Sequence, residues 1–398
     1  MHHPIGSSSR RAGSEVLIMK IGIEAEYWVI DASGALCDGR ALATHDNVEP
    51  EFIAPLIEVH TPPLERVDEL RRSFGATLRT VLDAAAADGK RLVPLGTPLA
   101  SAASPPVTDR GRLLERIYGE GLAPATQCAG THVHFDLVDA TRQLTLLTAL
   151  DPALALVSSS PWYAGHPRGH SSRAHAYRSL CGEAFAPLRG LWSYPTDLPE
   201  WERRIETSYG RFRALAAERG VREDELTTHF RPDDAIVAPV RLRRCPPTVE
   251  WRAPDTALPS ETLRLVGDVA RLVRRAADEP VEIGDPGVEP GRISVPPFDE
   301  LERLSQAAIG HGPGSSAVRE YLERMGIDTG AYRPIATEIG HDAPVTRADA
   351  RCIRLAYAER LERDVAALTA RSAIEGVSEQ RALVDGGWNT DTATGELP

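Results

Sequence analysis

An α+β fold is the architecture that the sequence predicts, and three observations predict it. Segments with the period-two alternation of strands are separated by segments with helical periodicity. The two kinds of segment do not follow the regular β-α-β order of a parallel sheet. The strand-like segments also carry ionisable residues on one face and apolar residues on the other, as expected for antiparallel strands packed on one side. The predicted strands cover residues 20–31, 52–60, 91–95, 130–138 and 247–253.

The helical segments show apolar residues at spacings of three and four. In the first of them, Leu64, Val67, Leu70 and Leu78 share one face. In the last, Thr346 with Asp349 three positions later has the pattern of an N-terminal capping box. The Pro- and Gly-rich stretch 280–296 is predicted to be a long irregular connection. The predicted helices cover residues 64–88, 141–159, 200–219, 260–277, 298–309, 315–325 and 346–371.

The chain of 398 residues is predicted to form a single catalytic domain over residues 19–372. Residues 1–18 contain no long apolar segment of a secretory signal, so we expect a disordered extension there. The Gly-, Thr- and Asp-rich residues 373–398 are predicted to fray. No apolar run reaches the roughly 18 residues of a membrane span, and we expect a cytoplasmic protein without membrane partners.

Composition excludes several classes of protein. The formal net charge is −12, with 45 basic and 57 acidic residues, so a nucleic-acid partner is not expected. Lys20 and Lys90 are the two lysines, and a phosphate-binding G-x-x-x-x-G-K-[ST] loop is missing from the sequence. Any phosphate must therefore be held by arginine. The five cysteines form no C-x-x-C pair, which argues against a zinc site or a disulfide framework.

Chemically interesting side chains share one face in each of four predicted strands. Side chains alternate along a strand, so residues two positions apart point the same way. This alternation groups the following residues strand by strand: Glu24 with Glu26, Glu58 with His60, His132 with His134 and Asp136, and Glu250 with Arg252. Each strand alone could be an ordinary strand with a solvated polar face.

If the four strands join one sheet, their polar faces form one acidic surface. Carboxylates that lie close together repel one another unless a cation neutralises them. Several oxygen ligands with one imidazole suit Mg²⁺, or Mn²⁺, better than zinc. Because Mg²⁺ in proteins commonly binds substrate phosphates as well, the surface is typical of a phosphoryl-transfer site.

The motifs that carry these residues resemble a known family. They are GIEAEYWVID (22–31), APLIEVHTPP (54–63), GTHVHFDL (130–137), SSSPWYAG (158–165) with AYRSL (176–180), and PTVEWRAPD (247–255). Their order and spacing are similar to the type 2 glutamate–cysteine ligase superfamily of carboxylate–amine ligases, over residues 19–275. The later segment from ISVPPFDELERLSQAAI to VREYLERMGID resembles archaeal members, particularly those of haloarchaea.

The resemblance implies a curved, mainly antiparallel sheet of six strands with helices on its outer face. ATP and glutamate would bind in its concavity. Arg252 would contact the transferring phosphoryl group, and Arg178 of AYRSL would bind substrate or phosphate. Many relatives have a third glutamate where this chain has Ala25, a position on the opposite face of the strand. The Mg²⁺ ligands implied by the resemblance are Glu24, Glu26, Glu58, His132 and Glu250.

The implied reaction joins the γ-carboxylate of L-glutamate to the amine of L-cysteine. ATP would first phosphorylate the carboxylate, and γ-glutamylcysteine, ADP and phosphate would be the products. Three alternatives stay open at this point: a ligase of the same superfamily that uses another amine, a metal-dependent hydrolase, and a non-enzymatic metal- or nucleotide-binding protein.

Overall fold

The central feature of the computed structural model is an antiparallel sheet that carries all four polar strand faces. The structure describes residues 19–102, 104–340 and 343–385. The predicted extension 1–18 and the last thirteen positions of the predicted tail lie outside the described residues.

In the described part of the chain, twelve strands form three sheets. They are β1 (Ile21–Asp31), β2 (Val48–Pro50), β3 (Leu56–His60), β4 (Lys90–Val93), β5 (Thr131–Asp136), β6 (Trp162–Tyr163), β7 (His166–Pro167), β8 (Val240–Arg244), β9 (Pro247–Trp251), β10 (Val281–Ile283), β11 (Gly287–Glu289) and β12 (Arg292–Val295).

Twelve α-helices surround the sheets within the described residues. They are α1 (Val67–Ala87), α2 (Asp109–Tyr118), α3 (Ala140–Ala149), α4 (Ser172–His175), α5 (Ala186–Arg189), α6 (Leu198–Glu218), α7 (Glu223–His229), α8 (Pro259–Asp278), α9 (Phe298–His311), α10 (Ser316–Arg324), α11 (Ile335–Ile339) and α12 (Arg347–Asp385).

The main sheet has seven strands, with six in the order β2-β3-β1-β5-β9-β8. The seventh strand, β4, pairs with the second half of β1 from Trp28 to Asp31. All of these pairings are antiparallel. The prediction of a mainly antiparallel sheet packed with helices is confirmed, and the sheet has one strand more than expected.

The apolar faces of these strands and the inner faces of the helices form the larger of two hydrophobic clusters, and the smaller one packs Trp28 and Ile30 of β1 against α11 and α12. Ile23 and Tyr27 of β1, Val133 of β5 and Trp251 of β9 are almost completely buried in the larger cluster. Helices α1 and α8 contribute Phe74 and Val269 to the same cluster. Because side chains alternate along each strand, packing of this face leaves Glu24, Glu26 and their neighbours on the opposite face.

Several predicted element boundaries differ from the structure. Residues 280–296 form the small sheet β10-β12-β11, so the prediction of an irregular connection is wrong. Ile293 and Val295 are buried there, and Gly291 turns the chain with a φ of 79°. The predicted helix 141–159 ends at Ala149 and continues as a 3-10 helix from Asp151 to Leu156. Pro152 lacks the N–H that an α-helix would require.

Elements that were not predicted include α2 and β8. The latter, VRLRR, places arginines between apolar residues at the edge of the sheet. Within the described residues, no helix is both long enough and apolar enough to cross a membrane.

Candidate metal and phosphate site

The sheet brings together the carboxylates and the histidine that the sequence singled out. Glu26 lies opposite Glu58 on the neighbouring strand, and Glu24 lies opposite His132. Glu250 lies on β9, opposite His134 of β5. Glu24, Glu26, Glu58 and His132 line a cavity of about 490 Å³, and Arg252 lines it too.

The five residues form two sets that share His132. One set is Glu24, His132 and Glu250; the other is Glu26, Glu58 and His132, and in each set the potential ligand atoms lie within 4.8 Å of one another. His132 Nδ1 is 3.5 Å from Glu24 Oε2 and 3.8 Å from Glu250 Oε1. His132 Nε2 is 3.8 Å from Glu26 Oε1.

The donor chemistry of these two sets fits a divalent cation. His132 is buried, and its Nε2 has no hydrogen-bond partner among the described residues. Burial and the neighbouring Arg252 lower the pKa of His132 to about 3, so its imidazole is neutral and able to act as a ligand at pH 7. Carboxylate oxygens with one neutral imidazole are ligands that Mg²⁺ and Mn²⁺ accept.

Glu26 and Glu58, the carboxylates on the β3 side of the cavity, have no arginine or lysine within ion-pair distance among the described residues. Burial, together with the charge of Glu51, raises the pKa of Glu26 to about 8. Burial likewise raises the pKa of Glu58 well above its ordinary value, with added repulsion from Glu24, Glu51 and Glu26. Because these acids resist ionisation together, a bound cation would be the natural source of compensation.

The carboxylates on the β9 side are already compensated. Arg241 donates to Glu250 Oε2 from Nε at 2.6 Å, and its Nη2 lies 2.5 Å from the same oxygen. Arg252 donates to the other oxygen of Glu250. Burial raises the pKa of Glu250, but the charges of Arg241 and Arg252 outweigh burial and lower it overall. Glu250 is therefore an ionised carboxylate in the interior.

His134 takes a supporting position beside this half of the site. Its Nε2 lies 3.1 Å from Glu24 Oε1, and its Nδ1 lies 3.2 Å from the hydroxyl of Thr248. Burial raises the pKa of Glu24, but hydrogen bonds from His132 and His134 lower it overall. His134 therefore orients Glu24 rather than joining either three-residue set.

Arg252 contacts His132, which both sets share, and Glu250. Its Nη1 lies 3.2 Å from His132 Nδ1 and bonds to Glu250, and the side chain lines the cavity. The guanidinium is thus fixed beside the carboxylates, where its fork suits a phosphate oxygen.

Arg178 has a different environment. Its two Nη atoms donate to the two carboxylate oxygens of Asp151 at 2.8 and 2.6 Å, and Nη1 also donates to the hydroxyl of Ser305 at 2.9 Å. It lines a small neighbouring pocket with Arg252 but does not line the larger cavity. Its donors are largely occupied by a fully buried carboxylate.

Arg173, five residues earlier, reaches the larger cavity. Its guanidinium lies against Gly130, where a Cβ atom would fall 2.0 Å from Nη2. Its Nη1 donates to the carbonyl of Ala253 at 3.3 Å, and its buried Nε has no partner in the described chain. Gly130 also donates its backbone N–H to Glu26 Oε2 at 2.6 Å. The missing side chain at Gly130 thus makes room for a second cavity arginine.

Sequence reasoning did not assign Glu51, Arg241 or Arg173 to the site. Glu51 directly precedes the predicted start of strand 52–60, so strand alternation did not assign it to a face. Arg241 belongs to the unpredicted strand β8, where it lies opposite Glu250. The arginine-rich alternation of VRLRR beside a predicted acidic strand was a usable signal for this pairing.

An aromatic wall closes another part of the cavity. Tyr118, Phe185, Phe212 and Phe230 line it and pack against one another, with the Tyr118 and Phe185 ring centres 5.0 Å apart. The Tyr118 hydroxyl is buried and has no hydrogen-bond partner among the described residues. The cavity therefore combines charged residues of the sheet with an aromatic wall whose rings pack largely edge to face.

Comparison with known protein families gives a match over almost the whole chain. The model of Glutamate-cysteine ligase family 2 matches residues 20–396. The chain belongs to this family.

Relatives from several organisms support the assignment. A glutamate–cysteine ligase of Haloferax volcanii is 28% identical over 288 residues, which cover 67% of this chain and 73% of the relative. A Saccharopolyspora erythraea protein, provisionally classed as glutamate–cysteine ligase 2-2, is 26% identical over 386 residues, 83% of this chain and 91% of the relative. The match to a Salinispora arenicola protein of the same provisional class is 29% identical but spans only 46% of that protein.

Solved structures share the fold. A glutamate–cysteine ligase of Francisella tularensis in complex with AMP has a TM-score of 0.54 and 14% identity, covering 94% of this chain and 95% of that one. A bifunctional glutathione synthetase from Pasteurella multocida also has a TM-score of 0.54, with 16% identity, covering 89% of this chain and 52% of that one.

Proposed function

We propose that this protein uses ATP to join the γ-carboxylate of glutamate to an amine, and that cysteine is the amine. The observation that carries the proposal is that Glu24, Glu26, Glu58, His132 and Arg252 line one cavity. Glu250 lies behind this lining, with a carboxylate oxygen within 4.8 Å of the potential ligand atoms of Glu24 and His132. Membership of the family supports the same chemistry.

The chemistry needs an activated carboxylate. A free carboxylate is a poor electrophile because its charge repels nucleophiles and its leaving group would be oxide. In the proposed reaction, a γ-carboxylate oxygen of glutamate attacks the γ-phosphorus of ATP, and ADP leaves. The amine then attacks the carbonyl carbon of the resulting γ-glutamyl phosphate, inorganic phosphate leaves, and the amine loses its proton.

The residues of the chain position these groups and stabilise charge. A divalent cation held by Glu24, Glu26, Glu58, His132 and Glu250 would neutralise the phosphate oxygens of ATP. Arg252, fixed by Glu250 and close to His132, is placed to contact the transferring phosphoryl group. Arg173 adds a second guanidinium from the other side of Gly130. No protein nucleophile is required, because positioning and electrostatics supply the catalysis.

A different amine is the second candidate. Tyr118, Phe185, Phe212 and Phe230 give part of the cavity an aromatic lining. This surface is available to the adenine ring of ATP as well as to a larger amine. The same fold, metal ligands and arginines would serve either acceptor.

The direct test is phosphate release from ATP with Mg²⁺, glutamate and each of the twenty amino acids in turn, with mass detection of products. The proposal predicts release that requires glutamate and cysteine together, with γ-glutamylcysteine as the product. Release with another amine would replace the acceptor and leave the mechanism in place. Absence of ATP-dependent product with every amine would contradict the ligase proposal and favour the hydrolase or binding-protein alternatives.

An isotope experiment tests the intermediate separately. With glutamate labelled by ¹⁸O in its γ-carboxylate, the proposal predicts one ¹⁸O atom in each phosphate released. Unlabelled phosphate would show that the carboxylate is not phosphorylated. A variant with Arg252→Gln serves as the control for contaminating ligases.

A further inference from the structure

A second cavity lies away from the carboxylate cluster, beside the first two turns of α12. It has a volume of about 460 Å³, which is within the size range of small-molecule sites. Arg347, Arg351 and Arg354 line one side of it, and Cys37 and Ser101 line other parts. It shares none of its lining residues with the larger cavity.

Arg354 is the unusual residue in this cavity. It is only 5% exposed, and no carboxylate in the described part of the chain forms an ion pair with it. Its Nη1 donates to the carbonyl of Gly34 at 2.9 Å, while its buried Nε has no described partner. A buried charge is costly unless an opposite charge balances it. Burial and the charge of Arg351 accordingly lower the pKa of Arg354 to about 10. Asp31 raises the pKa of Arg354 but does not outweigh these two effects.

Arg347 and Arg351 add two more positive charges on the same side of the helix. The three arginines are four and three positions apart, so they share one helix face. Among the described residues, neither Arg347 nor Arg351 is within ion-pair distance of an acid. Later arginines of α12 differ, since Arg360 pairs with Glu338 and Arg363 with Glu359.

The acids near this cavity are engaged elsewhere. Asp38 binds the guanidinium of Arg40, with Nε donating at 3.0 and 3.1 Å to its two oxygens. Asp31 accepts hydrogen bonds from the backbone of Ser33 and Ala35. Asp349 accepts a hydrogen bond from the Thr346 hydroxyl in the predicted capping box. The backbone N–H of Asp349, in the first turn of α12, is in turn bonded to that hydroxyl. The free donors of the cavity are therefore arginine side chains rather than the end of the helix.

We propose that this cavity binds a compact small molecule with two or more negative charges, of the phosphate or polycarboxylate type. Arginine forks suit both kinds of anion. Arg354 of α12 donates a hydrogen bond to Gly34 in the turn after β1, and Ala54 and Pro55, which precede β3, also line the cavity. The anion would therefore bind where α12 contacts the ends of the two strands that carry Glu26 and Glu58.

The test is isothermal titration calorimetry of the full chain with pyrophosphate and with citrate, without divalent metal and at constant ionic strength. The proposal predicts one site for at least one of these probes in the wild-type protein and in Arg252→Gln. Binding should weaken at least about tenfold in the double variant Arg347→Gln with Arg351→Gln. The matched control, Arg363→Gln with Arg371→Gln, removes two exposed charges from the same helix and should bind like the wild type.

The other outcomes count against the proposal. Lack of binding of both probes to the wild type would overturn it. Loss of binding in Arg252→Gln alone would place the anion in the carboxylate cavity. Equal loss in both double variants would show unspecific charge attraction. None of these results depends on ligase activity, so failure of this proposal is distinguishable from failure of the proposed function.

Discussion

The two halves of the carboxylate cavity differ in how their negative charge is balanced. On the β9 side, Glu250 is bonded by Arg241 and Arg252. On the β3 side, Glu26 and Glu58 face Glu51 and each other, and their pKa values are raised. The negative charge of the first half is balanced by arginines, whereas burial and mutual repulsion disfavour the charged form of Glu26 and Glu58 in the second half. The difference indicates that the β3 half is the one that most needs a metal.

The largest expected effects are a loss of activity on substitution of Arg252 and a loss of stability on substitution of Arg178. Arg252→Gln should lower kcat at least about 100-fold, because it removes a guanidinium held beside the phosphoryl position. Arg178→Gln should instead lower the free energy of unfolding by about 3 kcal/mol, since it leaves the buried Asp151 unpaired. Steady-state kinetics and urea unfolding of both variants check this. A comparable loss of kcat in a stable Arg178→Gln protein would restore Arg178 to a role in substrate binding.

The next comparison concerns stability of the metal-free protein. Glu250→Gln should destabilise it by about 3 kcal/mol, because Arg241 and Arg252 lose their buried counter-charge. Glu26→Gln should leave stability at pH 8 unchanged or raise it, because it removes a poorly compensated charge. Urea unfolding in the presence of a chelator measures both. Equal destabilisation by the two substitutions would contradict the difference between the halves.

A smaller effect is expected in the dependence of stability on pH. The pKa of Glu26 is about 8 in the folded protein and 4.5 ordinarily, so the folded state binds more protons between these values. The contribution of Glu26 to stability should therefore be greatest below about pH 4.5 and fall as pH rises to about 8. Thermal unfolding without metal should show this slope, and Glu26→Gln should reduce it. A slope that persists unchanged in the variant would assign it to other groups.

Much of this site could be predicted because strand alternation is a local property. Once Glu24 and Glu26 belong to a strand, they share a face whatever the rest of the chain does, and the same holds for His132 and His134. Alternation also explains why Ala25 lies in the apolar core, where it is buried. The motifs then indicated that these strands belong to one sheet.

The residues that were missed depend on tertiary contacts. Arg241 acts through its pairing opposite Glu250, and Arg173 through the space left by Gly130. Arg173 and Arg178 lie only five positions apart in one segment, yet Arg173 lines the cavity and Arg178 binds Asp151. Neither periodicity nor residue type distinguishes the two. The β10–β12 sheet was missed because its strands have only three or four residues between Pro and Gly turns.

The most direct test of the account is Mn²⁺ binding, measured from the free-ion signal in electron paramagnetic resonance. The wild-type chain should bind Mn²⁺, and Mg²⁺ should compete with it. The double variant Glu26→Gln with Glu58→Gln should bind at least about tenfold more weakly, as expected when metal ligands are removed. A control variant, Glu359→Gln, changes an exposed acid of α12 and should bind like the wild type. Equal Mn²⁺ affinity in all three proteins would contradict the assignment of the cavity as a divalent-cation site.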